Sequence, residues 1–280
     1  MEATLKDMAP TIGVFDSGFG GLTVLRALVE RFPHARFAFL GDTARLPYGS
    51  KSRRTIARYA AQSAQFLVNE QGAEFLVIAC NTASALALDA IKDAVSVPVL
   101  GVIEPGAAAA LAASRTGDVL VVATEATVHS RAYTAACQAH GLRVLEKACP
   151  LLVPLVEEGW TDHPVTGEVI EIYLNELRAE AESRGMNPDT LVLGCTHYPL
   201  LRPLFEKAVR PGAKVIDSAE SVAQAAVQLL NGIAAPAATG NAPETEVRCF
   251  ATDSVEKFER LGSRFLGRPV GHVELIDLGG

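Results

Sequence analysis

Short runs of apolar and β-branched residues alternate along this chain with longer, alanine-rich stretches that have helical spacing. Short apolar runs are typical of strands, and continuous runs such as FLVIA indicate strands that are covered on both faces. The expected strands are residues 12–15, 37–40, 75–79, 97–103, 119–123, 143–146, 191–194, 214–216, 247–250 and 272–276. Because strands alternate with helices, the sequence predicts an α/β protein with mostly parallel sheets that are flanked by helices.

The first eight expected strands resemble a four-strand unit that occurs twice. The positions that match between the two copies are Asp16 with Thr124, Cys80 with Cys195, and Glu104 with Asp217. Parallel α/β halves share some likeness in any case, but the match of one cysteine with another favours a duplication. We therefore expect two pseudo-symmetric α/β domains, with residues 100–213 forming the second. Residues 1–99 and 214–280 form the first, because the last two strands are expected to return to it.

The composition is that of an ordinary globular protein and restricts the expected partners. Of the 280 residues, 25 are Lys or Arg and 32 are Asp or Glu, which gives a net charge of −7, so nucleic acid is an unlikely partner. No apolar stretch suits a membrane span, and the N-terminus lacks the pattern of a signal peptide. The five cysteines are odd in number, widely spaced and without a CxxC pair, which indicates reduced thiols in the cytoplasm. Residues 231–246 are expected to form a loop or linker.

Polar, hydroxyl and thiol side chains follow the expected strands at the points where those strands end. Ligands of open parallel sheets bind beyond the carboxyl ends of the strands, so these side chains are candidates for one site. The residues are Asp16 and Ser17 after the first strand, Asp42, Tyr48 and Gly49 after the second, Cys80, Asn81 and Thr82 after the third, Thr124 and Thr127 after the fifth, and Cys195, Thr196 and His197 after the seventh. A glycine-rich loop at residues 18–21 leads into the first helix, where backbone amides can hold an anion, although a tight turn also explains it.

Each of these residues also has an ordinary structural explanation. Asp, Ser, Asn and Thr often cap helices, and a tyrosine after a proline often packs in a turn. A single cysteine at a strand end is usually a small buried hydrophobic residue. The functional interpretation therefore depends on the combination, and above all on the two cysteines at matching positions.

Cys80 and Cys195 occupy equivalent strand ends in the two expected half-units, and a helix follows each of them. A helix N-terminus lowers the pKa of a thiol from about 8.5, so the sequence predicts two activated thiols. Two thiols that face each other across a cleft can remove a proton from one face of a carbon and return one to the opposite face. Cys137, Cys149 and Cys249 lack this setting and are expected to be structural.

Two other uses of cysteine fit the sequence less well. Zinc sites normally have closely spaced ligands, whereas no cysteine here has a second cysteine within four positions, so no metal is expected. A thiol hydrolase could pair Cys195 with His197, but these residues lie two positions apart on a turn. That pairing also leaves Cys80 without a role.

Seven segments resemble those of a known enzyme family: IGVFDSGFGGLTV, LGDTARLPYG, ACNTASA, GVIEPG, ATEATVHSRAY, CPLLVPLVEEG and LGCTHYPLL. They occur in this order between residues 12 and 201, which is about two-thirds of the chain. ACNTAS alone resembles the cofactor-independent aspartate/glutamate racemase superfamily, whereas DSGFGG, PYG and GCTHYPL together resemble the glutamate racemase family. The chain departs from this pattern at Ala123, where the resemblance implies a glycine.

The resemblance implies that Cys80 and Cys195 are the catalytic proton donors and acceptors, and that Asp16 and His197 assist them. The substrate-binding residues that it implies are Asp16, Ser17, Tyr48, Gly49, Asn81, Thr82, Thr124, Thr196 and His197, with Asp42, Thr127 and Glu157 as further assisting residues. Glu157 is the hardest to place, because Glu158 adjoins it. The resemblance also implies two α/β domains with the active site in the cleft between them.

The expected activity is the interconversion of L- and D-glutamate by a cytoplasmic homodimer, which supplies D-glutamate for peptidoglycan synthesis. No cofactor is expected, because the resemblance places thiols rather than a Schiff-base lysine at the reacting centre. The alternatives are an aspartate racemase or another superfamily enzyme that acts on a different acid, and a non-catalytic amino-acid sensor. The second thiol argues against a decarboxylase, which needs a single proton donor.

Overall fold

Two parallel sheets organise the computed structural model, which describes residues 10–230 and 245–279. The strands are β1 (Thr11–Asp16), β2 (Arg36–Gly41), β3 (Phe75–Ile78), β4 (Val99–Gly101), β5 (Asp118–Ala123), β6 (Arg143–Ala148), β7 (Thr190–Gly194), β8 (Lys214–Asp217), β9 (Val247–Ala251) and β10 (Val273–Leu275). One sheet has the order β10-β9-β2-β1-β3-β4, and the other has the order β6-β5-β7-β8. We call each sheet with its helices the first half and the second half of the molecule. Every strand pair is parallel, which confirms the predicted fold class.

Helices cover the sheets because each helix has an apolar stripe to bury. The helices are α1 (Leu22–Arg31), α2 (Arg53–Asn69), α3 (Asn81–Leu86), α4 (Leu88–Ala94), α5 (Ile103–Ala113), α6 (Glu125–Ser130), α7 (Ala132–Ala139), α8 (Leu152–Glu157), α9 (Pro164–Ser183), α10 (Arg202–Ala208), α11 (Ser218–Leu230) and α12 (Val255–Leu266). In α2, Ser52 caps the first turn, and Ile56, Ala60, Ala64 and Leu67 are buried at helical spacing. Among the described residues, no helix is both long and apolar enough to cross a membrane.

The two halves repeat the same topology. The order β2-β1-β3-β4 in the first half corresponds to β6-β5-β7-β8 in the second, so β3 and β7 are equivalent strands. This equivalence supports the predicted duplication, and it places Cys80 and Cys195 at matching strand ends. The prediction that the last two strands return to the first half is confirmed, because β9 pairs with β2 and β10 pairs with β9.

The strand pairing corrects the predicted division of the chain at two strands. The boundary at residue 100 cuts through β4, which pairs with β3 of the first half. The assignment of residues 214–280 to the first half is wrong for β8, which pairs with β7 in the second half. In a duplicated unit the fourth strand completes each sheet, so β4 and β8 must lie in different halves. The predicted linker at 231–246 falls outside the described residues except for its last two positions, which precede β9.

Candidate active site

The carboxyl ends of β1, β3 and β7 bring Asp16, Cys80 and Cys195 together. Cys80 follows β3 and caps α3, where the amide of Ala83 donates to Cys80 Sγ at 3.4 Å. Cys195 follows β7. Each cysteine is 5% exposed. Cys80 and Asp16 both lie close enough to Cys195 to affect the pKa of its thiol, as expected for one shared site.

Asp16 and Ser17 belong to the Cys80 side of this site. Cys80 Sγ donates to Ser17 Oγ at 3.3 Å, and Asp16 Oδ2 accepts from the amide of Gly18 at 3.0 Å. Burial raises the pKa of the Asp16 carboxyl, whereas the charge of His197 and nearby backbone amides act against this increase. The other oxygen, Asp16 Oδ1, is buried without a hydrogen bond of normal geometry. A buried oxygen in this state suits a ligand that donates hydrogen bonds.

The prediction that helix N-termini lower the pKa of the two thiols is wrong for this structure. Burial raises the pKa of the Cys80 thiol to about 11, the charge of Asp16 raises it further, and the contacts with Ser17 and Ala83 act in the other direction. Burial also raises the pKa of the Cys195 thiol, and the amide of His197 opposes this only in part. The solvation free energy that a thiolate loses when it is buried exceeds the stabilisation that a few oriented amides provide.

His197 connects Cys195 with a carboxylate of the second half. His197 Nε2 lies 3.4 Å from Glu157 Oε1, at the end of α8. Lys257 Nζ on α12 lies 3.1 Å from the other oxygen, Glu157 Oε2. Burial would raise the pKa of the Glu157 carboxyl, but His197 and Lys257 together lower it. The neighbouring Glu158 is exposed.

The glycine-rich loop after β1 packs directly on the turn after β7. A Cβ atom at Gly20 would lie 2.4 Å from Thr196 Oγ1 and 2.6 Å from His197 Nδ1. Thr23 Oγ1 also donates to the carbonyl oxygen of Thr196 at 3.2 Å. The sequence predicted a turn or an anion site for this loop, and close approach between the two halves is an additional reason for its glycine.

Three threonines meet where α3 of the first half faces α6 of the second. Thr82 Oγ1 lies 3.1 Å from Thr124 Oγ1 and 3.4 Å from Thr127 Oγ1. Thr124 Oγ1 lies 2.9 Å from Thr127 Oγ1, and Thr124 caps α6. Hydroxyl groups both donate and accept, so this cluster can exchange its internal hydrogen bonds for bonds to a carboxylate.

Asn81 is held by two buried partners in addition to its position beside Cys80. Its Oδ1 accepts from Tyr133 Oη at 2.8 Å, and its Nδ2 donates to Ser218 Oγ at 3.5 Å. Tyr133 and Ser218 lie on α7 and α11, so these bonds connect Asn81 to elements beyond the first sheet. The Asn81 amide keeps a second N–H and a second oxygen lone pair, so it can contact a substrate while both bonds remain.

Tyr48 and Asp42 form a second buried polar pair near Cys80. Tyr48 Oη donates to Asp42 Oδ2 at 2.5 Å, and Thr252 Oγ1 donates to Asp42 Oδ1 at 2.9 Å. Arg45 Nη1 lies 3.5 Å from the same carboxylate. Burial raises the pKa of Asp42, and burial and Asp42 raise the pKa of Tyr48. Asp42 therefore reaches the site through Tyr48, whereas Gly49 is exposed on the turn that faces α6.

Comparison with known proteins identifies the family of this chain. The family model described as Asp/Glu/Hydantoin racemase matches residues 12–226. A glutamate racemase of Koribacter versatilis is 55% identical, with 97% of this chain and 98% of that protein aligned. The chain belongs to the Asp/Glu/Hydantoin racemase family.

Solved structures of this family have the same fold over nearly the whole chain. A glutamate racemase isoform from Bacillus anthracis is 35% identical with a TM-score of 0.86, and the match covers 96% of this chain and 98% of that one. A glutamate racemase from Francisella tularensis, solved in complex with D-glutamate, is 34% identical with a TM-score of 0.84, covering 98% and 99% of the two chains.

Of the remaining cysteines of this racemase-family chain, Cys149 lies close enough to Cys195 to affect the pKa of its thiol. Cys137, Cys149 and Cys249 are free, buried thiols on α7, after β6 and on β9. Within the described residues, no group of three or more His, Cys, Asp or Glu side chains could hold a metal ion.

Several residues that complete the site were missed by the sequence reasoning. Thr252 and Lys257 come from the C-terminal segment, far along the chain from the motifs, and Tyr133 and Ser218 lie on α7 and α11. Thr252 and Lys257 reach the site only because the chain returns to the first sheet. Tyr133 lies inside the ATEATVHSRAY segment, which could have singled it out.

Proposed function

We propose that this protein is a glutamate racemase that interconverts L- and D-glutamate, with Cys80 and Cys195 as its two bases. The observation that carries this proposal is the pair of buried thiols at equivalent strand ends, within electrostatic reach of each other. The names of the Koribacter relative and of the D-glutamate complex from Francisella support glutamate as the substrate. The same names do not favour aspartate.

The reaction exchanges one proton on each face of the α-carbon. One cysteine, as thiolate, takes the α-proton, while the other, as thiol, gives its proton to the opposite face. The product is the mirror image, and the two sulfur atoms have exchanged protonation states, so the reverse reaction uses the same groups. The position of the two cysteines at equivalent strand ends of the two halves supports the opposed placement that this exchange requires.

A nearby base must accept the proton from whichever thiol becomes the thiolate. Asp16 is the candidate for Cys80, because the raised pKa of a buried carboxyl makes it a stronger base than usual. His197 is the candidate for Cys195, since it follows that residue on the same turn and is held by Glu157. Positive charge on the substrate ammonium group would favour both thiolates.

The substrate's carboxylates need oriented donors in this buried setting. The side chains that can donate are Ser17, Asn81, Thr82, Thr124 and Thr196, together with backbone amides at the start of α3. Such donors also stabilise negative charge that develops at the α-carbon when the proton leaves. Tyr48 and Gly49 line the Asp42 side, where Tyr48 joins the site to the carboxylate behind it.

The decisive experiment uses L- and D-glutamate separately in D2O without added cofactor. Loss of optical activity from both enantiomers, with deuterium entering the α-carbon, is expected. Binding of glutamate without deuterium exchange would instead support an amino-acid sensor. Faster deuterium exchange with aspartate than with glutamate would assign aspartate as the substrate.

Replacement of either proposed base tests the two-thiol reaction. Cys80→Ala and Cys195→Ala should each lower kcat by about a thousandfold, in line with the loss of a general acid–base group. Cys249→Ala is the matched control, because Cys249 is equally buried but lies on β9. Circular dichroism checks folding, and racemisation by either single variant at the control's rate would eliminate the two-base assignment.

We further propose that the D-glutamate serves peptidoglycan synthesis, the role implied by the resemblance. A homodimer and a cytoplasmic location remain predictions. Sedimentation measures the first, and fractionation of the producing cell measures the second.

A further inference from the structure

Helix α12 packs with the first half of the molecule, yet two of its basic side chains reach the second half beside the candidate active site. Lys257 Nζ lies 3.1 Å from Glu157 Oε2, at the end of α8. Arg264 lies against Gly159, where a Cβ atom would approach its Nη1 to 2.6 Å. α12 therefore touches the end of α8 and the turn that follows it.

A continuous line of contacts runs inward from Lys257. Glu157 uses one oxygen for Lys257 and the other for His197 Nε2 at 3.4 Å. Side-chain exposure falls along this line, from 44% at Lys257 to 23% at Glu157 and 11% at His197. Cys195 lies two residues before His197, so the line ends at one of the two proposed bases.

Aromatic rings also pack against the same histidine. Phe265, also on α12, packs edge-on against His197 with ring centres 5.0 Å apart, and Phe19 lies 6.0 Å away. Lys257 Nζ itself lies 5.7 Å from the centre of the Phe19 ring. Packing limits the motion of the imidazole. Among the described residues, Nδ1 lies 3.5 Å from Thr196 Oγ1, and the polar contact of Nε2 is with Glu157.

We propose that Lys257 is a positioning residue for the racemisation reaction, which holds Glu157 in the rotamer that orients His197 beside Cys195. Lys257 does not contact the thiols. Without it, the Glu157 side chain has several rotatable bonds and a solvent-facing direction available, so the contact with His197 would be made only part of the time. This inference rests on the proposed function for its kinetic test.

The test compares three variants with the wild-type protein. Lys257→Met removes the charge and keeps most of the side-chain length, whereas Lys257→Arg keeps the charge. Lys147→Met is the matched control, because Lys147 forms a partly exposed ion pair with Glu176 on β6 and α9. The readouts are kcat and KM for both enantiomers, and the rates at which iodoacetamide alkylates Cys195 and Cys80, followed by peptide mass spectrometry.

We expect Lys257→Met to lower kcat about five- to tenfold, because an imperfectly oriented proton acceptor slows proton transfer. Lys257→Arg should retain at least about half of the wild-type kcat, and Lys147→Met should behave as the wild type. Alkylation of Cys195 should slow at least about threefold in Lys257→Met, and more than alkylation of Cys80, since Lys257 acts through His197 beside Cys195.

A double-mutant cycle separates positioning from general stabilisation. In a Glu157→Gln background, Lys257→Met should cause no further loss of kcat, because the contact that it supports is already changed. Independent losses from the two substitutions would overturn the proposal, and so would a Lys257→Met variant that matches Lys147→Met. If Lys257→Met does not fold, a defect in a folded Lys257→Arg as large as that of Glu157→Gln would overturn it. Absence of racemisation in the wild-type protein would refute the proposed function, while the Cys195 alkylation rate would still test the positioning role.

Discussion

At the scale of the residue, two opposed effects set the ionisation state of the Cys80 and Cys195 thiols. Burial favours the neutral thiol, and the backbone amide at each turn favours the thiolate. For Cys80 the balance leaves a pKa of about 11, and the charge of Asp16 adds to the effect of burial. Both cysteines are therefore thiols near neutral pH, and the reaction depends on bases beside them and on the charge that the substrate brings.

The pH dependence of alkylation tests this balance at Cys80. Only the thiolate reacts with iodoacetamide, so the rate should rise about tenfold per pH unit up to a midpoint near pH 11. Asp16→Asn removes a negative charge that opposes the thiolate, so the midpoint should move to lower pH. Mass spectrometry of the Cys80 peptide follows the reaction, with the single variant Cys195→Ala as the background. A plateau below pH 8 in the Cys195→Ala protein that retains Asp16 would contradict the raised pKa.

Close packing between loops from different halves governs the site at the scale of the element. The loop between β1 and α1 meets the turn after β7 at Gly20, where no Cβ atom fits beside Thr196 and His197. Neither side can retreat freely, because Thr23 bonds the carbonyl oxygen of Thr196. The geometry at Cys195 thus depends on a residue from the opposite half.

Gly20→Ala is expected to damage both packing and chemistry. The added methyl group forces the loop and the turn apart, which should lower the free energy of unfolding by about 1–3 kcal/mol and lower kcat/KM at least about tenfold. The matched control is Gly167→Ala in α9, where a Cβ atom meets nothing within 4 Å. In a helix this change should be neutral or stabilising by up to about 1 kcal/mol. Urea unfolding and steady-state kinetics measure both variants, and equal behaviour of the two would refute the close-packing argument.

The sequence predicts elements better than it predicts the contacts between them. All ten strands of the described chain were predicted, because short apolar or β-branched runs such as Phe75–Ile78 alternate with longer stretches of helical spacing. The equivalent positions of Cys80 and Cys195 were predicted from the repeat. The pKa of the thiols was predicted with the wrong sign, because burial depends on how the two halves meet. Lys257 was missed for a related reason, since nothing in an amphipathic helix near the end of the chain indicates which side chain reaches Glu157.

At the scale of the whole molecule, one of the two buried apolar clusters in the described chain joins the two halves. One buried cluster contains residues of both sheets, including Val14 and Val77 from the first and Val121 and Val192 from the second. Helix α11 contributes Val222 and packs against both α1 and α5, which belong to different halves. Separation of the halves would expose much of this cluster to water, at a cost of roughly 25 cal/mol for each square ångström of apolar surface. The candidate site therefore lies within one cooperative unit.

Unfolding by urea should accordingly occur in one transition. Trp160 is the only tryptophan, and it lies between α8 and α9 in the second half, stacked on His163 with ring centres 4.5 Å apart. Its fluorescence reports on that half alone, whereas far-ultraviolet circular dichroism reports on both. Because the shared core couples the halves, the two signals and the loss of racemase activity should have coincident midpoints. If the dichroism curve instead has two steps, and the fluorescence midpoint coincides with only one of them, the halves unfold independently and the core does not couple them.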